Sequence, residues 1–141
     1  MAVSLSEARV GDLLPTVDFG RISRAKLALY AGASGDHNPI HIDRDFAHEA
    51  GLDDVFAHGM LSMGVLARVV TEWAGIGRLT SLSTRFLAIT PVGANLVCGG
   101  KVTERFEIGG VPHLRVALSS DITLNGNSTR TLAGEAVVRL S

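Results

Sequence analysis

The chain has 141 residues, 46% of them hydrophobic and 19% charged, a balance that suits one folded domain over residues 1–141 and excludes a disordered segment. With 13 basic and 14 acidic residues the formal net charge is −1 and no basic stripe stands out, which argues against nucleic acid as a partner. The lone Cys98 cannot pair internally and no signal-peptide pattern opens the chain, so a soluble cytoplasmic protein is expected.

Residues 1 to 15 read as a leader, with Gly11-Asp12 as a turn signal and Pro15 at its end. Thr16 to Gly20 alternates apolar and polar residues and predicts a short first strand. Ser23 is placed to cap a helix over about Arg24 to Ala33, with Leu27, Tyr30 and Ala31 on one face and Gly32 and Gly35 ending it.

From Gly35 to about His58 the pattern predicts mostly irregular chain, with a short helical turn around Arg44 to Ala50. A structureless loop of that length is commonly functional or disordered. Apolar anchors at Ile40, Ile42, Phe46, Leu52, Val55 and Phe56 favour a functional loop that packs down.

Gly59 to Ala74 is apolar over most of its circumference and predicts a helix in the middle of the domain, stopped at Gly75. Arg68 and Glu72 within it argue against a membrane span. Strand signals fill the rest: Leu79 to Ile89, Asn95 to Phe106, Val111 to Leu124 and Thr129 to Leu140, with hairpin cues at Gly109-Gly110 and Asn125-Gly126. One buried helix followed by successive hairpins implies an α+β fold in which an antiparallel sheet curls around the helix.

The chemistry concentrates in SGDHNPIHID, Ser34 to Asp43. Imidazole titrates near neutrality and a carboxylate can orient it or share a water with it, so Asp36 and His41 are the candidate catalytic pair. Pro39 lies between them and keeps them off one regular helix. No G-x-S-x-G nucleophile motif occurs. A metal site from His37, His41, Asp43, His48 and Glu49 is disfavoured, because Pro39 breaks the helical spacing that ligands at 37 and 41 need.

Tyr30 followed by SGDHNPIHID, then Ala57-His58-Gly59-Met60 at the head of the buried helix, resembles the MaoC-like (R)-specific enoyl-thioester hydratases and dehydratases. Arg85-Phe86, Pro91-Val92 and Gly134-Glu135-Ala136-Val137-Val138 extend the likeness over roughly residues 10 to 140. The resemblance implies a hot-dog fold, usually paired into a dimer, and reversible syn addition of water across a trans-2-enoyl thioester of CoA or acyl carrier protein. It implies no cofactor, since the CoA or phosphopantetheine arm belongs to the substrate. In that scheme Asp36 and His41 hold and activate the water and one of them protonates C2.

Gly59 follows from both lines. A backbone N–H in the first turn of a helix has no intrahelical acceptor and sits at the positive dipole end, where it can meet the negative charge pushed onto the thioester oxygen. Asn38 and His58 are expected to shape the site, and Val70, Trp73 and Val138 are candidates for lining an acyl slot. Some hydratases of the family carry a serine eight residues after the glycine; Ala67 stands there in this chain, and Ser62 is read as lying in the wrong part of the helix to replace it. That departure resembles the dehydratase-subunit branch, so a homodimer and a heterodimer with a related subunit both stand as expectations.

Overall fold

The computed structural model describes residues 3–141. Strand β1 (Val17–Arg21) leads into helix α1 (Arg24–Ser34), which begins where the Ser23 hydroxyl accepts the Lys26 N–H at 3.1 Å and so supplies an acceptor the first turn lacks. It ends at Gly35, whose φ of 76° is a left-handed value that glycine adopts without steric cost. A short helix α2 (Arg44–Glu49) is capped by Asp43, whose Oδ1 accepts from the N–H groups of Asp45 and Phe46.

Helix α3 (Gly59–Ala74) has the limits that its apolar run and Gly75 predict. Ser62, Val65, Leu66, Val69, Val70 and Ala74 are its buried residues, and all but Ser62 belong to the hydrophobic core shared with the sheet. Burying each Val or Leu of that face contributes about 1.5–3 kcal/mol relative to leaving it in water.

The sheet is β2 (Leu79–Phe86), β3 (Asn95–Ile108), β4 (Val111–Leu124) and β5 (Asn127–Arg139) with β1, antiparallel throughout, in the order β1-β3-β4-β5-β2. Along β4 the inward residues Leu114, Val116, Leu118, Ser120 and Ile122 alternate with outward ones, as a sheet with one covered face requires. Helix α3 packs against all five strands. Asn125-Gly126 forms the β4–β5 turn with positive φ at both residues, 52° and 79°, as a type I′ turn needs.

Several predicted strand boundaries move, by one to three residues. Strand β2 stops at Phe86 rather than Ile89, because the Leu87 N–H still bonds the Thr131 carbonyl but the chain then turns to bring Pro91 against Phe56. The leader is pinned to β3: Gly11 N–H donates to the Val102 carbonyl at 2.8 Å and Val102 N–H donates to the Asp12 carbonyl at 2.9 Å. No helix among the described residues is long and apolar enough to cross a membrane.

Candidate active site

The stretch Ser34–Asp43 folds by capping its own backbone. Ser34 Oγ accepts from the Asp36 N–H at 3.1 Å, Asp36 Oδ1 from the Asn38 N–H at 3.2 Å, and Asn38 Oδ1 from the Ile40 N–H at 3.1 Å. Such side-chain turns give the chain a fixed path without helix or strand. Pro39 then opens a single 3₁₀ turn, Pro39–His41, that carries His41 inward. The result is an asymmetric pair: His41 is 8% exposed while the Asp36 side chain is 51% exposed, and Asp36 Oδ2 lies 4.0 Å from His41 Nε2. That gap is too long for a direct hydrogen bond and suits one oxygen atom bonded to both.

The protonation pattern of His41 follows from its other nitrogen. Nδ1 lies 2.7 Å from the Phe56 carbonyl, which can only accept, so Nδ1 carries the hydrogen and Nε2 presents its lone pair toward Asp36. His58 supports this arrangement from behind. Its ring stacks on His41 with centroids 4.0 Å apart, and its Nε2–H donates to the Asp36 carbonyl at 3.0 Å. Tyr30 packs edge-on against His58. Burial, and then the charge His41 would carry, hold the His58 pKa below its usual 6.5, so the ring is neutral near neutrality.

His58 is also the residue before α3, and its side chain does not cap that helix. The Leu61 N–H turns back to the His58 carbonyl at 3.1 Å, while the Gly59 N–H stays open beside a cavity of about 270 Å³ lined by Phe56, Ala57, Gly59, Ser62, Leu132 and the segment Phe86–Thr90. The aromatic edge of Phe86 covers Gly59 so closely that a Cβ there would come within 2.9 Å of it. Neither Asp36 nor His41 lines this cavity. They adjoin it through Phe56, whose carbonyl takes the His41 bond and whose ring meets the His41 ring edge-on at 5.0 Å.

The structure therefore brings Asp36, Asn38, His41, His58 and Gly59 into one neighbourhood. Val70, Trp73 and Val138, the candidates for an acyl slot, do not line this cavity. Val70 and Val138 are fully buried in the core, and Trp73 donates its indole N–H to the Val3 carbonyl at 2.8 Å. At 1.5 Å per residue, Val70 and Trp73 lie about 16 and 21 Å down the helix from Gly59. The apolar lining comes instead from Phe86–Thr90 and Leu132. Ser62, read as misplaced, lines the cavity one helical turn from Gly59, and that i,i+3 relation was the signal available in the sequence.

The histidines read as a possible metal set do not gather. His37 bonds the Gly35 carbonyl, His48 bonds the Asp53 carbonyl and Asp43 caps α2. Asp36, His41 and His58 do place one ligand atom each within 4.8 Å of one another. Yet one nitrogen of each ring is committed to a backbone carbonyl, His41 Nδ1 to Phe56 and His58 Nε2 to Asp36, and the two rings stack face to face at 27° rather than splaying around one point.

The family model described as the MaoC-like domain matches residues 8–118. The chain belongs to that family. Among curated relatives, this MaoC-like chain is 31% identical over 119 residues to the (R)-specific enoyl-CoA hydratase of Rhodospirillum rubrum, covering 83% of this chain and 74% of that enzyme. It is 35% identical over 115 residues to the fatty acid synthase subunit beta of Aspergillus oryzae, a match that spans 79% of this chain and 5% of that subunit. The R-hydratase PhaJ1 from Pseudomonas aeruginosa, solved unliganded, superposes with a TM-score of 0.78 at 27% identity over 97% of this chain and 84% of that one. The helix-and-curved-sheet architecture is thus the hot-dog fold of the R-hydratases.

Proposed function

We propose that this MaoC-like domain is a hydro-lyase that adds water reversibly, in the syn sense, to trans-2-enoyl thioesters and gives the (R)-3-hydroxyacyl product. The observation that carries this reading is the Asp36–His41 pair, its Nε2 lone pair and carboxylate 4.0 Å apart, beside an apolar cavity headed by Gly59. A water bonded to both groups loses a proton to the pair as its oxygen forms a bond to C3 of the substrate. The C2–C3 π electrons move toward the thioester oxygen, and the pair then returns a proton to C2 on the same face.

The Gly59 N–H meets the charge on the thioester oxygen, a donor worth roughly 3–4 kcal/mol of transition-state stabilisation in a water-excluded site. Hydrolysis of the thioester, the other reaction open to a water held here, releases free thiol, and hydration does not. The chemistry needs no metal or organic cofactor.

A second copy of the chain completes the site. Strand β2 is a sheet edge, and exposed Met60, Phe86, Leu87 and Ile89 cluster where it meets the head of α3. An unpaired edge flanked by apolar side chains favours a partner, and its cover would dry the cavity. A cytoplasmic homodimer in fatty acyl thioester metabolism is the setting this implies.

The test is incubation of the purified chain with crotonyl-CoA, following loss of the enoyl thioester, chirality of the hydroxyacyl product and free thiol. Hydration to the (R) product without thiol supports the reading. Thiol release makes it a thioesterase, and activity only after addition of a related protein makes it a subunit of a heterodimer.

A further inference from the structure

The head of α3 holds two buried polar atoms without hydrogen-bond partners among the described residues, Ser62 Oγ and His58 Nδ1. His58 Nδ1 is explained by its ring, whose other nitrogen is committed to Asp36. Ser62 has no such account. It is 2% exposed, its hydroxyl is a donor that could have been an alanine methyl at no cost to the helix, and it lines the cavity that Gly59 heads.

We propose that the Ser62 hydroxyl is a second donor to the substrate's thioester oxygen, acting with the Gly59 N–H. Side chains on an α-helix lean toward its N-terminus, so a residue at i+3 covers the turn below its own Cα. Ser62 therefore reaches back toward the first turn, where the Gly59 N–H stands open. A hydroxyl turns about its Cα–Cβ bond, so the group that is buried without a protein partner can swing to bond an oxygen placed beside Gly59. Two donors that converge on one oxygen resist its rotation and favour the charged enolate over the neutral carbonyl, which is the differential binding that catalysis needs.

This assignment rests on the hydratase reading and deepens it. Because the hydroxyl is buried and unpaired before substrate binds, its removal relieves a desolvation cost, so Ser62→Ala is expected to raise the melting temperature while it lowers kcat. A purely structural serine would move the two in the same direction.

The experiment compares parent, Ser62→Ala and Ser62→Thr on crotonyl-CoA, and records the carbonyl stretch of ¹³C-labelled crotonyl-CoA bound to each in the Asp36→Asn background, where turnover is slowed. Expected are a roughly 100-fold loss of kcat in Ser62→Ala with KM little changed, retention of most activity in Ser62→Thr, and a smaller carbonyl red shift without the hydroxyl. If the parent hydrates crotonyl-CoA and Ser62→Ala matches its rate and red shift, the role of Ser62 is overturned and the hydratase reading stands. A loss of rate with an unchanged carbonyl stretch also overturns it, since Ser62 would then act through His58. A parent that hydrates no enoyl thioester overturns both.

Discussion

The carboxylate of Asp36 divides its work between its two oxygens: Oδ1 accepts the Asn38 N–H at 3.2 Å and Oδ2 faces His41 Nε2 at 4.0 Å. A turn-capping aspartate and a catalytic aspartate are usually rival readings of one residue. Here one oxygen folds the loop and the other is left for chemistry, so a substitution can separate the roles. Asn keeps an acceptor for the turn and removes the charge.

Gly59→Ala should separate stability from activity. A Cβ at this position meets the Phe86 ring at 2.9 Å, and that ring is more than half exposed and able to swing away. Alanine is the better helix former, by less at this first helical position than the about 1 kcal/mol of a helix interior, so the melting temperature should hold. The added methyl and displaced ring intrude on the cavity mouth, and kcat/KM on crotonyl-CoA should fall at least 10-fold. Thermal melts and steady-state rates on the same preparation check both halves.

His58 gives the fold a pH dependence of known sign. Burial holds its folded pKa below the 6.5 of the free side chain. Above pH 6.5 both folded and unfolded chains carry a neutral ring and its contribution is constant. As pH falls through 6.5 the unfolded chain binds a proton that the folded chain refuses, so stability drops until the folded pKa is passed. Urea midpoints at pH 7.5 and 5.5 should differ more in the parent than in His58→Gln, which lacks the titrating ring. Equal differences would mean that His58 titrates normally in the folded chain.

Cys98 is fully buried on β3 and its pKa is pushed up to about 11 by that burial. A thiol so rarely ionised at pH 8 reacts slowly, because the thiolate is the nucleophile. Labelling by a chromogenic disulfide reagent should stay slow in buffer and become fast in denaturant. Stoichiometric labelling of the native protein within seconds would place Cys98 near the surface.

The stacked geometry of His41 and His58 predicts indifference to metal. Dialysis against a strong chelator should leave the hydration rate within experimental scatter, and added Zn²⁺ should not raise it. A rate abolished by the chelator and restored by one metal would assign the Asp36, His41 and His58 cluster to an ion instead.

What the sequence made legible followed strong local causes. The limits of α3 come from an apolar run bounded by Gly59 and Gly75, and the β4–β5 turn comes from Asn125-Gly126. Asp36 and His41 stood out because a dense polar motif broke two hydrophobic segments. Features set by long-range packing were not legible. The cavity lining at Phe86–Thr90 adjoins the Phe56–Pro91 bridge, which joins residues about thirty-five positions apart. Val70 and Val138 are apolar for the ordinary reason that the core must be filled, and no pattern distinguishes such residues from a slot lining. The His58–Asp36 bond likewise spans the whole loop.

The central claim is that Asp36 and His41 act as one water-activating unit, and a double-mutant comparison tests it most directly. Asp36→Asn keeps the turn acceptor, and His41→Asn can keep a donor toward the Phe56 carbonyl, so both variants should remain folded by circular dichroism. Each single variant should lose about 10²–10⁴-fold in kcat on crotonyl-CoA, and the double variant should be little worse than the poorer single. Near-parent rates in both folded single variants would contradict the account.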